Sequence, residues 1–181
     1  MSYNVTMGGD GFEAIVAAHH GEIYRYLRRA TGRASEADDL SQETFLRAFR
    51  AYRSLPPDAN VRAWLFAIAT NLFRNRFRAG KRQRRALEAV RAQSSHFDGQ
   101  GPEAETLFNE ARTRIEAVIA GLPLKQRLAF TLRKVHDLDY EAIARSLDCS
   151  PESARAHVFQ ALRKIRQGLD RHELVQRERQ R

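Results

Sequence analysis

The sequence offers almost nothing from which to build covalent cross-links or a sheet. Its one cysteine, Cys149, rules out an intrachain disulfide, so the fold must rest on packing, and the expected compartment is the reducing cytoplasm. Strand-length windows of alternating β-branched residues are missing. No apolar run approaches the roughly 20 residues that cross a bilayer, so no membrane insertion is expected. The segment Met1 to Gly11 has neither the cationic opening nor the apolar stretch of a secretory signal and reads as a flexible lead-in. Acid is also short: 22 Asp and Glu stand against 31 Lys and Arg, a formal charge of +9. With a pI near 10.4, that excess favours a polyanionic partner, either nucleic acid or an acidic membrane surface.

Signals of catalysis are equally sparse. Cys149 lies in a tight turn with no partnered base in view, and its place is explained by a small buried residue. The histidines, His19, His20, His96, His136, His157 and His172, show no ligand spacing with cysteine or carboxylates, so no metal is expected. Gly8-Gly-Asp-Gly11 does not form a phosphate-binding loop. The expectation is a non-enzyme without cofactors.

What the sequence does have is helical periodicity nearly throughout, which predicts an all-α protein. Phe12, Ile15, Val16, His19, Ile23 and Leu27 share one face of a first helix that stops at Gly32. Ser35 is placed to cap a second, with Glu36, Asp38 and Asp39 in its first turn, Leu40, Phe45, Phe49 and Tyr52 along its apolar side, and Pro56-Pro57 beyond its end. A third helix starts near Val61, buries Val61, Trp64, Leu65, Ile68 and Leu72, and runs into a cationic tail ending around Gly80 to Arg85. These three predict one small helical domain over 1–91. Residues 92–103 are polar and glycine-containing without periodicity, the composition of a flexible linker. Helical patterning resumes near Ala104, pauses at Gly121-Leu-Pro123, and continues from Leu124 to Val135. A break at His136-Asp137 precedes a helix from about Asp139 to Leu147, a turn at Asp148-Cys-Ser150, and a long helix from Pro151 to about Leu169. The tail from Gln176 is expected to fray. The second domain, 104–181, therefore ends in a helix-turn-helix.

In that motif Tyr140, Ile143, Ala144 and Leu147 form one apolar face, and Ala154, Val158, Leu162, Ile165 and Leu169 the other. Ser150 suits the cap and Pro151 the first helical position. The outward face then carries Glu152, Ser153, Arg155, Ala156, His157, Gln160, Arg163 and Lys164. Side chains near the amino end of such a helix reach base edges, while later cations meet phosphates. An ordinary helical hairpin with a solvated basic face would show the same spacing.

The third helix carries Arg74, Arg76, Arg78, Lys81, Arg82, Arg84 and Arg85 with no acid among them, a block suited to phosphate binding. Away from its core stripe the pattern places Phe66, Thr70, Phe73 and Phe77, interleaved with Asn71 and Asn75. Aromatics beside cations and amides suit unpaired bases. The alternative is that the phenylalanines pack on another helix and the arginines are merely solvated.

Over nearly its whole length the chain resembles the extracytoplasmic-function class of bacterial RNA polymerase sigma factors. The residues that carry the resemblance are Glu36 to Arg47, Trp64 to Asn71 with Asn75, Gly121-Leu-Pro123 with Arg127, and the helix-turn-helix from Tyr140 to Lys164. The resemblance implies a first domain that docks on core RNA polymerase and captures the melted proximal promoter element, and a second that reads the upstream element as duplex. The partners it implies are core polymerase, promoter DNA and an anti-sigma factor. It leaves no room for the amino-terminal inhibitory region or the middle domain of larger sigma factors. Asp38, Asp39, Leu40, Gln42, Glu43, Phe45 and Arg47 match the polymerase-docking helix. Arg62, Phe66, Asn71, Arg74, Asn75 and Arg78 fall to the proximal element, with the loop from Arg53 to Arg62, and Trp64 is expected as a core anchor. Ser153, Arg155, Ala156, His157, Phe159, Gln160, Arg163 and Lys164 fall to the upstream element. Many relatives have Ser-Arg at Ala156-His157 and often Arg at Gln160, so the upstream preference does not transfer. Two rival readings are a stand-alone dimeric helix-turn-helix regulator, which would hold a duplex operator unaided, and an RNA-binding accessory protein, which leaves the second domain unexplained.

Overall fold

The computed structural model describes residues 9–90 and 115–179, with side chains described over 11–83 and 115–170. Every regular element among the described residues is helical. The chain divides into two compact units between Arg84 and Arg85. The expected linker 92–103 and the helix start at Ala104 lie outside the described residues.

In the first unit α1 spans Gly9–Thr31, so helix already covers the last residues of the expected lead-in. It stops where predicted, because Gly32 takes a left-handed conformation (φ 75°) that a side chain would disfavour. The second helix, α2, spans Ala34–Ala51 and corrects the expected cap: Arg33 stands at the N-cap without a side-chain bond, and Ser35 lies inside the first turn, where Glu36 is the acid. Entry into α2 is set instead by the Thr31 hydroxyl, which accepts from the Arg33 N–H at 3.2 Å. A 3-10 turn over Tyr52–Ser54 follows.

The third helix, α3, spans Val61–Val90 and continues beyond the expected ending around Gly80 to Arg85. Its start is marked by Asn60, whose side chain accepts from the Ala63 N–H at 2.9 Å. The core holds Ile23, Tyr26 and Leu27 from α1, Ala37, Leu40, Thr44 and Ala48 from α2, and Leu65, Phe66, Ala69 and Thr70 from α3. Trp64, Val61 and Ile68 are only half-buried. One polar pair crosses this core, Tyr26 Oη to Thr70 Oγ1 at 2.8 Å. Leaving either hydroxyl unpaired there would cost about 1–3 kcal/mol.

In the second unit residues 115–120 are helical (α4), followed by α5 over Leu124–Lys134, α6 over Tyr140–Leu147 and α7 over Pro151–Arg179. The last helix thus runs well beyond Leu169 and includes most of the tail expected to fray. Leu128, Leu132, Ile143, Leu147, Ala154 and Ala161 are fully buried between these helices.

Candidate nucleic-acid interface

The turn between α6 and α7 is built by local chemistry. Asp139 caps α6, accepting from the Ala142 N–H at 2.6 Å, and Asp148 ends it in the left-handed region (φ 52°). The Cys149 N–H then closes onto the Ala144 carbonyl at 3.1 Å. Ser150 caps α7 by accepting from the Ser153 N–H at 3.2 Å, with Pro151 in the first position as expected. Glu152 takes up the other end of this cap: its own backbone N–H and then the Ser150 hydroxyl hold its carboxyl below the ordinary value of 4.5.

Packing then sorts the residues of α7. Ala154, Val158 and Ala161 are buried, whereas Leu162, expected on that face, is 41% exposed. The small Ala161 allows the close approach that a leucine would block. Ser153, Arg155, Ala156, Gln160, Arg163 and Lys164 are all exposed, and Phe159 is 67% exposed. His157 is half-buried; burial, then the nearby Lys125 charge, push its imidazole below the ordinary 6.5.

Two of the exposed side chains are held by neighbours. The Arg155 guanidinium sits 4.9 Å from the centre of the Tyr140 ring, which Arg133 also approaches at 5.4 Å. Gln126 Nε2, from α5, donates to Gln160 Oε1 at 2.7 Å. Neither Tyr140 nor Gln126 carries a sequence signal for this role beyond lying on α6 and α5, the helices that pack on α7.

On α3 the expected outward aromatic stripe is corrected. Phe66, Thr70 and Phe73 are buried, because α3 packs on two stripes: Phe66 meets Tyr26 edge-on at 5.3 Å beside the Tyr26–Thr70 bond. Arg74 is only 5% exposed and donates to Asn71 Oδ1 at 3.2 Å. Arg62 is bound to Glu22 of α1, Nε to Oε2 at 2.9 Å, and lies over the Phe66 ring. Phe66 and Arg74 are therefore core residues, and Arg62 ties α3 to α1. What α3 does present is one exposed row, Asn71, Asn75, Arg78 and Arg82, at four-three-four spacing.

On α2 Leu40 and Phe45 are buried, Phe45 also lining the groove between α1 and α2. Asp38, Asp39, Gln42 and Arg47 are exposed, with Glu43 half-buried and paired to Arg47 at 2.7 Å. Arg76 of α3 reaches Glu36 and Asp39, each at 3.5 Å. Two apolar residues stand with the exposed set, Leu46 at 46% and Phe49 at 57% exposure. Phe49 was expected on the core side. Both border a groove of about 380 Å³ between α1 and α2, with Phe12, Val16 and His20 on its other wall and Ser41 lining it from α2. The buried Ser41 hydroxyl has no hydrogen-bond partner there.

No described helix is long and apolar enough to cross a membrane, and no group of metal-ligating side chains occurs among the described residues. An acidic, partly apolar face and an amide-cation row thus lie on one helical unit, and a capped helix-turn-helix on the other. Residues 15–83 match the Sigma-70 region 2 family and residues 112–165 the Sigma-70, region 4 family. The chain is 31% identical over 135 residues to the ECF RNA polymerase sigma-E factor of Escherichia coli, covering 71% of each chain. It is 29% identical over 165 residues to the RNA polymerase sigma-H factor of Pseudomonas aeruginosa, covering 87% of this chain and 86% of that one. It is also 29% identical over 163 residues to the ECF RNA polymerase sigma factor SigE of Mycolicibacterium smegmatis, covering 89% of this chain but 62% of SigE. Among solved structures the fold matches the sigma factor RpoE of Bartonella quintana, in complex with the anti-sigma factor NepR, with a TM-score of 0.69 at 21% identity, covering 88% and 96% of the two chains. The chain belongs to the ECF RNA polymerase sigma factor family.

Proposed function

We propose that the chain binds core RNA polymerase and directs it to a set of promoters, acting as a specificity subunit with no reaction of its own. The observation that carries this reading is the separation of surfaces by chemistry. The exposed face of α2 bears Asp38, Asp39 and Gln42 beside Leu46 and Phe49, suited to a protein, while the exposed rows of α3 and α7 bear amides and cations. On this reading 1–91 is the polymerase-docking and promoter-melting domain, 92–103 the linker and 104–181 the upstream-element domain. Asn71, Asn75 and Arg78 meet the melted proximal element. Ser153, Arg155, Ala156, Phe159 and Gln160 face base edges of the upstream duplex, with His157 beside them and Arg163 and Lys164 on phosphates. The protein acts in the cytoplasm, where polymerase and promoters are. An anti-sigma factor is a further partner, supported by the complexes in which RpoE of Bartonella quintana and CnrH were solved, with NepR and with the cytosolic domain of CnrY.

The test is transcription in vitro from a promoter library with reconstituted polymerase, paired with binding to free duplex. Promoter selection that requires core polymerase supports the proposal. Tight, sequence-specific duplex binding by the protein alone, as a dimer, would overturn it in favour of a stand-alone regulator.

A further inference from the structure

The hydrogen bond between Gln126 and Gln160 fixes more than a side-chain position. A glutamine amide reads DNA in two ways: its oxygen accepts from exocyclic amino groups, and its nitrogen donates to ring nitrogens and keto oxygens. Adenine is read by both at once. Here Gln160 Oε1 already accepts from Gln126 Nε2 at 2.7 Å. The other end of the Gln126 amide, Oε1, is buried without a hydrogen-bond partner. A buried carbonyl oxygen tolerates this better than N–H groups would, because with the amide turned two donors would be left unpaired in its place. The orientation of one amide therefore sets the other, and Gln160, exposed on α7, offers DNA its Nε2 donors.

We infer that Gln126 is a specificity-determining positioning residue, which makes Gln160 a donor-only reader that rejects cytosine, and cannot read adenine through both ends of its amide, at one position of the upstream element. Guanine O6 and N7, thymine O4 and adenine N7 are major-groove acceptors that the Gln160 nitrogen can reach, whereas cytosine presents only its N4 donor, which an occupied Gln160 oxygen cannot meet. The inference rests on the proposed role of α7 as reader of the upstream duplex. It concerns this chain's own pair of residues.

Two substitutions of opposite hydrogen-bonding character test it. In Q126E a carboxylate can only accept, so Gln160 must turn its nitrogen inward and present its oxygen to DNA. In Q126K an ammonium can only donate, so Gln160 keeps its present orientation. Each variant, with Q160A and R155A, is assembled with core polymerase and used to transcribe a library randomised across the upstream element. The expected result is a preference against cytosine of roughly fivefold at one position, the worth of one net hydrogen bond. Q126K should keep it, Q160A should abolish it, and Q126E should convert it to a preference for adenine or cytosine at that position. Should Q160A abolish the preference while Q126E leaves it in place, or should Q126E weaken all promoters alike, the positioning role is wrong and the reading role of α7 stands. Should neither Q160A nor R155A change the preference anywhere, α7 does not read the element, and both conclusions fall.

Discussion

Replacing Arg155 and replacing Lys164 should have effects of different kind, because the two cations occupy different stations on α7. Nine positions separate them, roughly 13.5 Å along the helix axis, more than the width of one base-pair step. Arg155 lies in the amino half and is pre-positioned on the Tyr140 ring at 4.9 Å, whereas Lys164 is simply exposed. An arginine held on an aromatic face loses less rotamer freedom on engaging a base edge. A good bidentate base contact discriminates by about 1–3 kcal/mol, so Arg155→Ala should relax selection at its position by about fivefold to 150-fold. Lys164→Ala should weaken all promoters alike and reduce the salt slope of binding by about one unit. Tyr140→Leu leaves Arg155 in place but removes its support, and should blur the same base position to a smaller degree. The assay is holoenzyme transcription from a randomised upstream element, with the salt dependence of promoter binding measured alongside. If Arg155→Ala left the preference intact while Lys164→Ala altered it, the helix would sit on DNA in another register and the reasoning would be refuted.

The other predictions concern docking, melting, the core and pH. Asp39→Lys with Glu43→Lys should weaken association with core polymerase and cost no more than about 1–2 kcal/mol of stability, the worth of two surface ion pairs; unchanged affinity in a competition assay would remove α2 as the docking helix. Asn75→Ala should slow open-complex formation on duplex promoters and shift base preference on a pre-melted template, whereas an equal loss on every sequence would mean phosphate binding only. Phe66→Ala should cost about 3–5 kcal/mol in chemical denaturation, the range for a buried aromatic; an unchanged midpoint would return Phe66 to the DNA-facing surface. The His157 imidazole titrates below 6.5 in the fold, so the unfolded chain binds more protons and stability must fall as pH drops through that value. His157→Gln should flatten the acid-side loss, read as the midpoint between pH 7.5 and 5.5.

The helix-turn-helix was legible because its signals are local. Ser150-Pro151 can start a helix and Asp148 can adopt the left-handed turn whatever surrounds them, and the structure uses them so. The surfaces were less legible, because exposure is settled by a second element that no single segment encodes. Phe66 and Phe159 show this: both are phenylalanines on helices crowded with arginine, and the spacing alone treats them alike. Phe66 is buried because Tyr26 of α1 stands against it, while Phe159 remains 67% exposed in a row with Arg155 and Ala156. Size acts the same way: apolar spacing favours Leu162 as the buried residue, but the structure buries Ala161, because a close helix crossing admits the smaller side chain. The same dependence on the neighbouring helix explains the Gln126–Gln160 pair. In sequence Gln160 reads only as an uncharged polar residue among the cations of α7. Across the α5–α7 contact it places an amide within 2.7 Å of another amide, so the residue that sets what α7 can read stands on a different helix from the one that does the reading.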